Sequence, residues 1–424
     1  MFKLPFEHRG FVKYLANTNW MFLGQLFSLV VSFFVGAWLG RYLGPQNYGV
    51  LNYITTFVGV FSFIAGLGIE NIIVKQIVET KEKTNSILGT SFVLRLAGGL
   101  VAVASMLIAA FTLRVDSTYI LWMFIFSLHL VIQAAQITAY YFQANVSARY
   151  NTRALIYATI FTSLLKISFI VFQFPFWTIF AIFMLDSLWQ AIGLIFIYKR
   201  KVGDFKSWNF DWSLGSNILN KSWYLMFASA VSFMLLRIDQ IIIKYYLGET
   251  KLGIYAAAVK FAEVWYFVPT VICASLFPAI LNARKMDIRY FMRRMYGLYG
   301  LLLVLALVIS VTTYLIAKIA ITSLFGLAYL NSVPIIELYI WSNLGLFLNI
   351  AINQYLIVEG RYKAVLQMNL AAVFLCVSLN FIFIPAFALK GAAFATLISY
   401  TLVPVAVAIY EFVLFSVSNR PRSG

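Results

Sequence analysis

Apolar residues recur in long runs along the whole chain, and short polar breaks separate each run from the next. A helix that spans a bilayer needs about 20 predominantly apolar residues, and each of these runs is of that length. The pattern therefore predicts twelve membrane-spanning helices, with ends uncertain by about 2–4 residues. The predicted spans are residues 15–40, 50–74, 86–113, 118–143, 153–173, 177–198, 217–246, 253–281, 295–319, 334–358, 363–384 and 391–415.

The composition supports a polytopic membrane protein and excludes a soluble enzyme. The chain is 62% apolar and 11% charged, whereas soluble domains carry about 25% charged residues. The longest predicted connection, residues 199–216, leaves no room for a soluble domain. The first apolar run is too long for the core of a signal peptide and has no small-residue cleavage site, so we expect it to be retained as a span.

Lysine and arginine are distributed unevenly between the two sides of the predicted membrane. One side, which includes both termini, receives 22 of the 32 basic residues, the other side receives six, and four lie inside spans. Such asymmetry in short loops places the basic side, and with it both termini, in the cytoplasm. It also accounts for most of the net charge of +17, so we expect no nucleic acid partner.

A short motif recurs halfway along the chain. Tyr42-Leu43-Gly44, followed by Gly49, matches Tyr246-Leu247-Gly248, followed by Gly253. Both copies fall at the turn after the first span of a half, where glycine suits a tight turn. Since each half holds an even number of spans, the motif predicts two lobes of the same orientation, residues 1–212 and 213–424. A coincidence between two helix ends remains the alternative.

Ionisable side chains inside spans are expensive and are expected to face a cavity or a partner. The candidates are Arg95, His129, Lys166, Asp186, Arg237, Asp239, Lys260 and Glu263. Counting about 1.5 Å of rise per residue from each turn predicts three ion pairs at matching depth: Lys166–Asp186, Arg237–Glu263 and Asp239–Lys260. Two interpretations remain open: these pairs join neighbouring helices, or they line a polar lumen where cations bind anionic head groups and acids relay coupling ions.

Arg95 and His129 differ from the other candidates. Arg95 has no acidic residue at matching depth on its neighbouring spans, so we expect it to face water or an anion and to contact substrate. His129 is more readily explained by packing than by proton transfer. Cys273 and Cys376 both lie in apolar runs, which favours neither a disulfide nor a metal site, and no cofactor or catalytic residue is indicated.

Two stretches resemble the Wzx-type polysaccharide flippases, the lipid-linked oligosaccharide translocases of the MOP superfamily. The first is the segment Gly40–Gly49 (GRYLGPQNYG) with its continuation Ala65–Ile69 (AGLGI). The second is Arg237–Gln240 (RIDQ) with the YLG motif and Gly253–Tyr255 (GIY) that follow it. Arg237 and Asp239 match the family pattern by position, whereas Arg95, Lys166 and Lys260 are inferred from charge and depth.

The resemblance implies an all-α membrane protein of twelve helices, arranged as two parallel-oriented six-helix lobes in a V around a central cavity. It implies a flippase, not an enzyme, which moves an undecaprenyl-diphosphate-linked oligosaccharide repeat from the cytoplasmic to the periplasmic leaflet by alternating access. The implied setting is the bacterial inner membrane and surface polysaccharide synthesis, such as that of O-antigen. Partners would be membrane lipid, the polysaccharide polymerase and the chain-length machinery.

Two other functions stay open. A multidrug exporter of the same superfamily would share the architecture, although a cationic drug favours an acidic cavity, and here basic residues at least match acidic ones. A glycan polymerase or ligase usually needs an extended external loop with catalytic residues, and the predicted external loops are short. No G-x4-GK-[ST] motif is present, so we expect transport to be driven by an ion gradient, the membrane potential or mass action.

Overall fold

The structure is a computed structural model that describes residues 8–418, with side chains described over 19–411 apart from Pro278 and Tyr362. The extreme termini, predicted to be cytoplasmic, lie outside the described residues. Within residues 8–418 every regular element is a helix and no strand is found. The fourteen α-helices are α1 His8–Val60, α2 Ser62–Gly66, α3 Glu70–Glu79, α4 Thr84–Thr112, α5 Ser117–Ile132, α6 Ile137–Ala144, α7 Arg149–Phe172, α8 Thr178–Lys201, α9 Trp212–Glu263, α10 Phe267–Met286, α11 Ile288–Leu324, α12 Val333–Tyr339, α13 Ser342–Val358 and α14 Tyr362–Ser418.

The described part of the chain has eight helices long and apolar enough to cross a membrane, or nine when the bent pair α12–α13 counts as one span. Three of these stretches, in α1, in α9 continued into α10, and in α14, run to 42, 66 and 49 residues. At about 1.5 Å per residue each is at least twice the hydrocarbon thickness, and each is broken once, at Gly44, Gly248 and Ala388 respectively. When their halves are counted separately, the helices correspond to the twelve predicted spans.

Several predicted spans are broken in a way that the apolar pattern does not show. The second span ends as α1 at Val60 and resumes through α2 and α3, with left-handed backbone at Leu67 and Gly68. A Cβ on Gly68 would lie 2.4 Å from the backbone nitrogen of Met226, so this break allows a close helix–helix approach. The fourth span is interrupted by a 3₁₀ segment, and α12 meets α13 at 49°.

The internal repeat is confirmed in the backbone. Gly44 (φ 69°, ψ 170°) and Gly248 (φ 79°, ψ 179°) break α1 and α9 with nearly the same torsion angles, in a region that favours glycine. The second glycines of the two copies pack against each other's turns. A Cβ on Gly49 would lie 1.8 Å from the Glu249 carbonyl oxygen, and one on Gly253 would lie 1.8 Å from the Pro45 carbonyl oxygen.

The chain divides into two compact units. Unit 1 contains residues up to 39 and residues 54–230, and unit 2 contains residues 40–53 and residues from 231 onward. This division differs from the predicted boundary at 212/213, because the first YLG turn packs with the second half. Within unit 2, the Tyr329 hydroxyl donates to the Gly40 carbonyl oxygen at 2.6 Å, and the Tyr48 ring contacts those of Phe325 and Tyr329 edge-on.

Each unit has its own apolar core. In unit 1 the core joins α3, α4, α6 and the end of α8 around residues such as Ile73 and Leu88. In unit 2 it joins α10, α11, α13 and α14 around residues such as Phe291 and Phe347. The buried positions of each helix follow its helical period, as expected for helices that present one face to the core and the other to lipid.

Two ion pairs connect the ends of the unit 2 helices on the basic side. Arg284 Nε lies 2.5 Å from Glu359 Oε1, and this hydrogen bond raises the pKa of the Arg284 guanidinium. Arg361 pairs with Glu411, whose side chain is 10% exposed while that of Arg361 is 39% exposed. The second pair is therefore asymmetric, with the acid buried and the base facing outward.

This asymmetry predicts unequal effects of neutralising the two partners. We expect Arg361→Gln to lower the free energy of unfolding by about 1–3 kcal/mol, because the buried Glu411 carboxylate loses its charged partner. Glu411→Gln should cost less, because the exposed guanidinium is readily hydrated. Thermal unfolding in detergent, followed by tryptophan fluorescence, measures both effects. Equal destabilisation by the two variants would contradict the assignment of Glu411 as the buried partner.

Candidate functional site

A charged cluster lies within the bent helix α9. Arg237 and Glu263 are 26 residues apart, so in a straight helix they would be about 39 Å apart. The break at Gly248 folds the helix back on itself, and the two side chains meet as a two-pronged pair. Arg237 Nη1 donates to Glu263 Oε1 at 2.9 Å and Nη2 donates to Oε2 at 2.8 Å. The predicted Arg237–Glu263 pair is thus confirmed.

The pair is only partly enclosed. The Arg237 side chain is 32% exposed and that of Glu263 is 15% exposed. A guanidinium fork holds a carboxylate or a phosphate in the same bidentate geometry. A phosphate oxyanion that reached Arg237 would therefore find the same donors that now hold Glu263.

Lys260 lies beside this pair on the second arm of α9. It interacts electrostatically with both Arg237 and Glu263. In the part of the chain that the structure describes, Lys260 Nζ makes no ion pair or hydrogen bond, and the side chain is partly exposed. Arg237 and Lys260 therefore both lie beside the Glu263 carboxylate, and Arg237 alone is hydrogen-bonded to it. Lys260 is the cation of this group that an incoming anion could meet. We refer to Arg237, Asp239, Lys260 and Glu263 as the α9 site.

Asp239 does not form the predicted pair with Lys260. Its carboxylate accepts hydrogen bonds from the Tyr255 hydroxyl at 2.5 Å and from the Gln240 backbone N–H at 2.7 Å, and the residue is 3% exposed. The depth count took no account of the direction in which each side chain leaves its helix. Asp239 is therefore buried, and the groups that donate hydrogen bonds to its carboxylate are neutral.

A group of tyrosines surrounds the α9 site and was not predicted. Tyr339 interacts electrostatically with Tyr255, Tyr266, Tyr400 and Glu263. The hydroxyls of Tyr266 and Tyr339 are 3.4 Å apart, and Tyr400 donates to the Leu235 carbonyl oxygen at 2.8 Å. Nothing in the sequence separates these four from the other tyrosines among the 25 in the chain.

Arg95, in unit 1, has a partner after all. Its Nη1 donates to the Tyr140 hydroxyl at 2.6 Å, and its guanidinium carbon lies 5.7 Å from the centre of that ring. The residue is 3% exposed, so the expectation that Arg95 faces water is wrong for this arrangement. The search for a partner considered acids alone and therefore missed a phenol. Substrate contact by Arg95 stays a prediction that requires the packing around it to open.

The other unit 1 candidates take separate partners. Lys166 Nζ lies 4.3 Å from the centre of the Phe183 ring, and Asp186 accepts from Thr162 Oγ1 at 2.8 Å. The predicted Lys166–Asp186 pair stays a prediction. His129 Nδ1 lies 2.6 Å from the Phe126 carbonyl oxygen, and its ring stacks on that of Phe126. These contacts support the packing interpretation of His129.

The arrangement of helices matches that of solved transporters. An inward-facing structure of a multidrug resistance MATE family transporter of the MOP superfamily aligns with a TM-score of 0.78 and 13% identity, over 93% of this chain and 95% of that one. An outward-facing structure described in the same terms aligns with a TM-score of 0.67 and 14% identity, over 96% of each chain. The chain therefore shares the fold of these multi-pass membrane proteins.

The sequence comparisons identify the family. A protein from Haemophilus influenzae, described as an uncharacterized membrane protein, is 23% identical over 274 residues, which are 64% of this chain and 66% of that protein. The family described as polysaccharide biosynthesis protein matches residues 14–284. Since this range is more than half of the 424 residues, the chain belongs to that family, and the predicted resemblance to the polysaccharide flippase family is confirmed.

Proposed function

We propose that this protein is a flippase for an undecaprenyl-diphosphate-linked oligosaccharide repeat unit. It moves the repeat from the cytoplasmic to the periplasmic leaflet of a bacterial inner membrane by alternating access, for the synthesis of a surface polysaccharide such as O-antigen in lipopolysaccharide. The observation that carries the proposal is the α9 site, a partly open cluster among membrane-spanning helices in which Arg237 and Lys260 both lie beside the Glu263 carboxylate. Membership of a polysaccharide biosynthesis family supports the glycan as cargo.

The α9 site addresses the main physical obstacle to this transport. A diphosphate cannot enter hydrocarbon without compensation of its charge, whereas the apolar polyprenyl tail remains in the hydrocarbon. In the proposed mechanism, Lys260 attracts the diphosphate, and Arg237 then exchanges Glu263 for a phosphate oxygen in the same bidentate geometry. In unit 1, Lys166 and, after local opening, Arg95 remain proposed contacts for an anionic substrate. Of the surrounding tyrosines, Tyr266 is partly exposed, and its hydroxyl offers a donor and an acceptor for sugar hydroxyls.

The acids provide a route for coupling to an ion gradient. Glu263, once displaced from Arg237, becomes a free carboxylate, and binding of a proton or cation to it would prevent the pair from re-forming before substrate leaves. Asp239, Asp186 and His129 remain further candidates for this role. The proposed partners are membrane lipid, the polysaccharide polymerase and the chain-length machinery, and both termini are placed in the cytoplasm by the basic-residue asymmetry.

Neutralising Lys260 tests the proposal directly. In vesicles reconstituted with a fluorescently labelled lipid-linked oligosaccharide, Lys260→Gln should lower the initial rate of flipping about tenfold, as expected for loss of one charge-assisted contact to phosphate. Lys260→Arg should keep most of the rate. Lys221→Gln, an exposed position on the same helix, is the matched control and should leave the rate unchanged. Full activity of Lys260→Gln with normal folding would remove Lys260 from the substrate site.

A multidrug exporter is the second candidate, favoured by the likeness to MATE structures, which at 13–14% identity extends to the fold alone. The two functions differ in the charge of their cargo. A cationic-drug exporter should extrude a cationic dye from loaded vesicles, and lowering the positive charge of the α9 site should speed that extrusion. We expect no dye extrusion by the native protein above that of empty vesicles.

A further inference from the structure

A cavity lies in unit 1 and shares no residue with the α9 site. It has a volume of about 420 Å³, which is within the range of small-molecule sites. Its walls come from α4, α8, the 3₁₀ segment between α5 and α6, and the connection between α8 and α9. The residues on which the argument rests are Phe92, Val93, Ala135, Ile195, Trp208 and Phe210.

The connection between α8 and α9 is held firmly as one wall of this cavity. Trp208 Nε1 donates to the Tyr198 hydroxyl at 3.2 Å, and the Trp208 ring packs against Phe92 and Phe205. Gly89 of α4 is also part of the wall, and a Cβ there would lie 2.6 Å from the Asn209 carbonyl oxygen. The cavity is therefore formed before any ligand arrives.

The cavity suits a hydrocarbon chain. Its lining is almost wholly apolar, and the Thr138 hydroxyl in its wall is already bonded to the Ala135 carbonyl oxygen at 2.9 Å. Three large apolar side chains at the lining are substantially exposed: Val93 by 42%, Ile195 by 39% and Phe210 by 51%. An occupant thus gains burial of apolar surface and finds few hydrogen-bonding partners.

The charges beside the cavity fix the kind of head group. Residues 199–211 contain four cations and two acids. Both acids are engaged, Asp204 with Lys199 at 3.7 Å and Asp211 with the backbone N–H of Ser213 at 2.9 Å. Lys201 and Lys206 are exposed and follow the lining residues of α8 and the connection closely in sequence. A phosphate above the cavity would therefore meet net positive charge.

We propose that this cavity binds one acyl chain of an anionic phospholipid from the leaflet on the basic side, with the head-group phosphate beside Lys201 and Lys206. A phospholipid is the occupant because the lining is apolar, Lys201 and Lys206 follow lining residues closely in sequence, and the volume of about 420 Å³ is on the scale of a single acyl chain, not of the whole tail of a polyprenyl carrier. The site is independent of the flippase proposal.

Photocrosslinking with the full-length protein in lipid nanodiscs tests the site. The probe is phosphatidylglycerol with a diazirine in one acyl chain, and labelled peptides are mapped by mass spectrometry. Val93→Trp fills the cavity and should lower labelling of its wall about tenfold, as should a second filling variant, Ile195→Trp. Val101→Trp, on the same helix and 55% exposed but outside the cavity, should leave the labelling unchanged.

The head group and the source of the chain are tested separately. Phosphatidylcholine with the same chain should label the wall several-fold less than phosphatidylglycerol, and Lys206→Gln should lower phosphatidylglycerol labelling about fivefold. Equal labelling in Val93→Trp, Ile195→Trp and Val101→Trp, or equal labelling by the two lipids, would overturn the proposal. So would displacement of the probe by undecaprenyl phosphate at a concentration at which unlabelled phosphatidylglycerol has no effect.

Discussion

Gly253→Ala is expected to prevent unit 2 from reaching its folded state. The added methyl carbon would lie 1.8 Å from the Pro45 carbonyl oxygen and 2.9 Å from the Gly49 nitrogen. Both obstructing atoms belong to backbone, so no side chain can rotate out of the way, and the two YLG turns would have to separate. Overpacking typically costs about 1–3 kcal/mol and occasionally more. The two backbone contacts place Gly253→Ala at or above the upper end of this range, a large part of the stability of a typical domain.

The measurement is the yield of monodisperse protein by fluorescence-detected size-exclusion chromatography, with the melting temperature of any protein recovered. Gly297→Ala is the matched control: Gly297 lies inside α11 with no atom within 4 Å of an added Cβ, so alanine should be neutral or slightly stabilising. Gly49→Ala should behave like Gly253→Ala, because its Cβ meets the Glu249 carbonyl oxygen. Normal yield and melting temperature for Gly253→Ala would show that the turns do not pack as described.

The apolar pattern predicted the helices well because the bilayer imposes a minimum length on each span. The twelve runs recur as helices, and the YLG repeat marked two breaks with matching torsion angles. The break at Ala388 has no such marker, since alanine has no preference for its torsion angles of φ 52° and ψ −133°. Such a residue is held in place by its surroundings, which the sequence does not show.

Charge and depth in the sequence predicted the Arg237–Glu263 pair of the α9 site, because the bilayer makes an unpaired charge costly. A carboxylate and a guanidinium at equal depth in hydrocarbon gain strongly from meeting, and Arg237 and Glu263 do meet. Counting residues from each turn did not predict the partner of a charged side chain where a neutral hydrogen-bonding group was sufficient. Examples are Arg95 with Tyr140 and Asp239 with Tyr255. Phenols are frequent in this chain and carry no signal of charge, so only the packing of the helices identifies those that serve as partners.

Arg237→Gln is expected to have the largest effect of any substitution at the α9 site. It leaves the Glu263 carboxylate, 15% exposed, without its two charge-assisted hydrogen bonds. Breaking a fully buried pair costs about 3–5 kcal/mol, and the partial exposure of Arg237 reduces this to about 2–3 kcal/mol. The melting temperature should fall accordingly, and flipping of a lipid-linked oligosaccharide should be lost.

The double variant Arg237→Gln/Glu263→Gln separates the structural role of the pair from its role in transport. With both charges removed, two amides of similar shape face each other, and most of the lost stability should return. Flipping should not return, because the bidentate phosphate donor is absent. Exchange of the two residues, Arg237→Glu with Glu263→Arg, should likewise restore the melting temperature, and a partial recovery of flipping is expected because a guanidinium again lies within the site. Full transport by the double glutamine variant would show that the pair only joins the two arms of α9, and the phosphate-binding role proposed for Arg237 would then have to be abandoned.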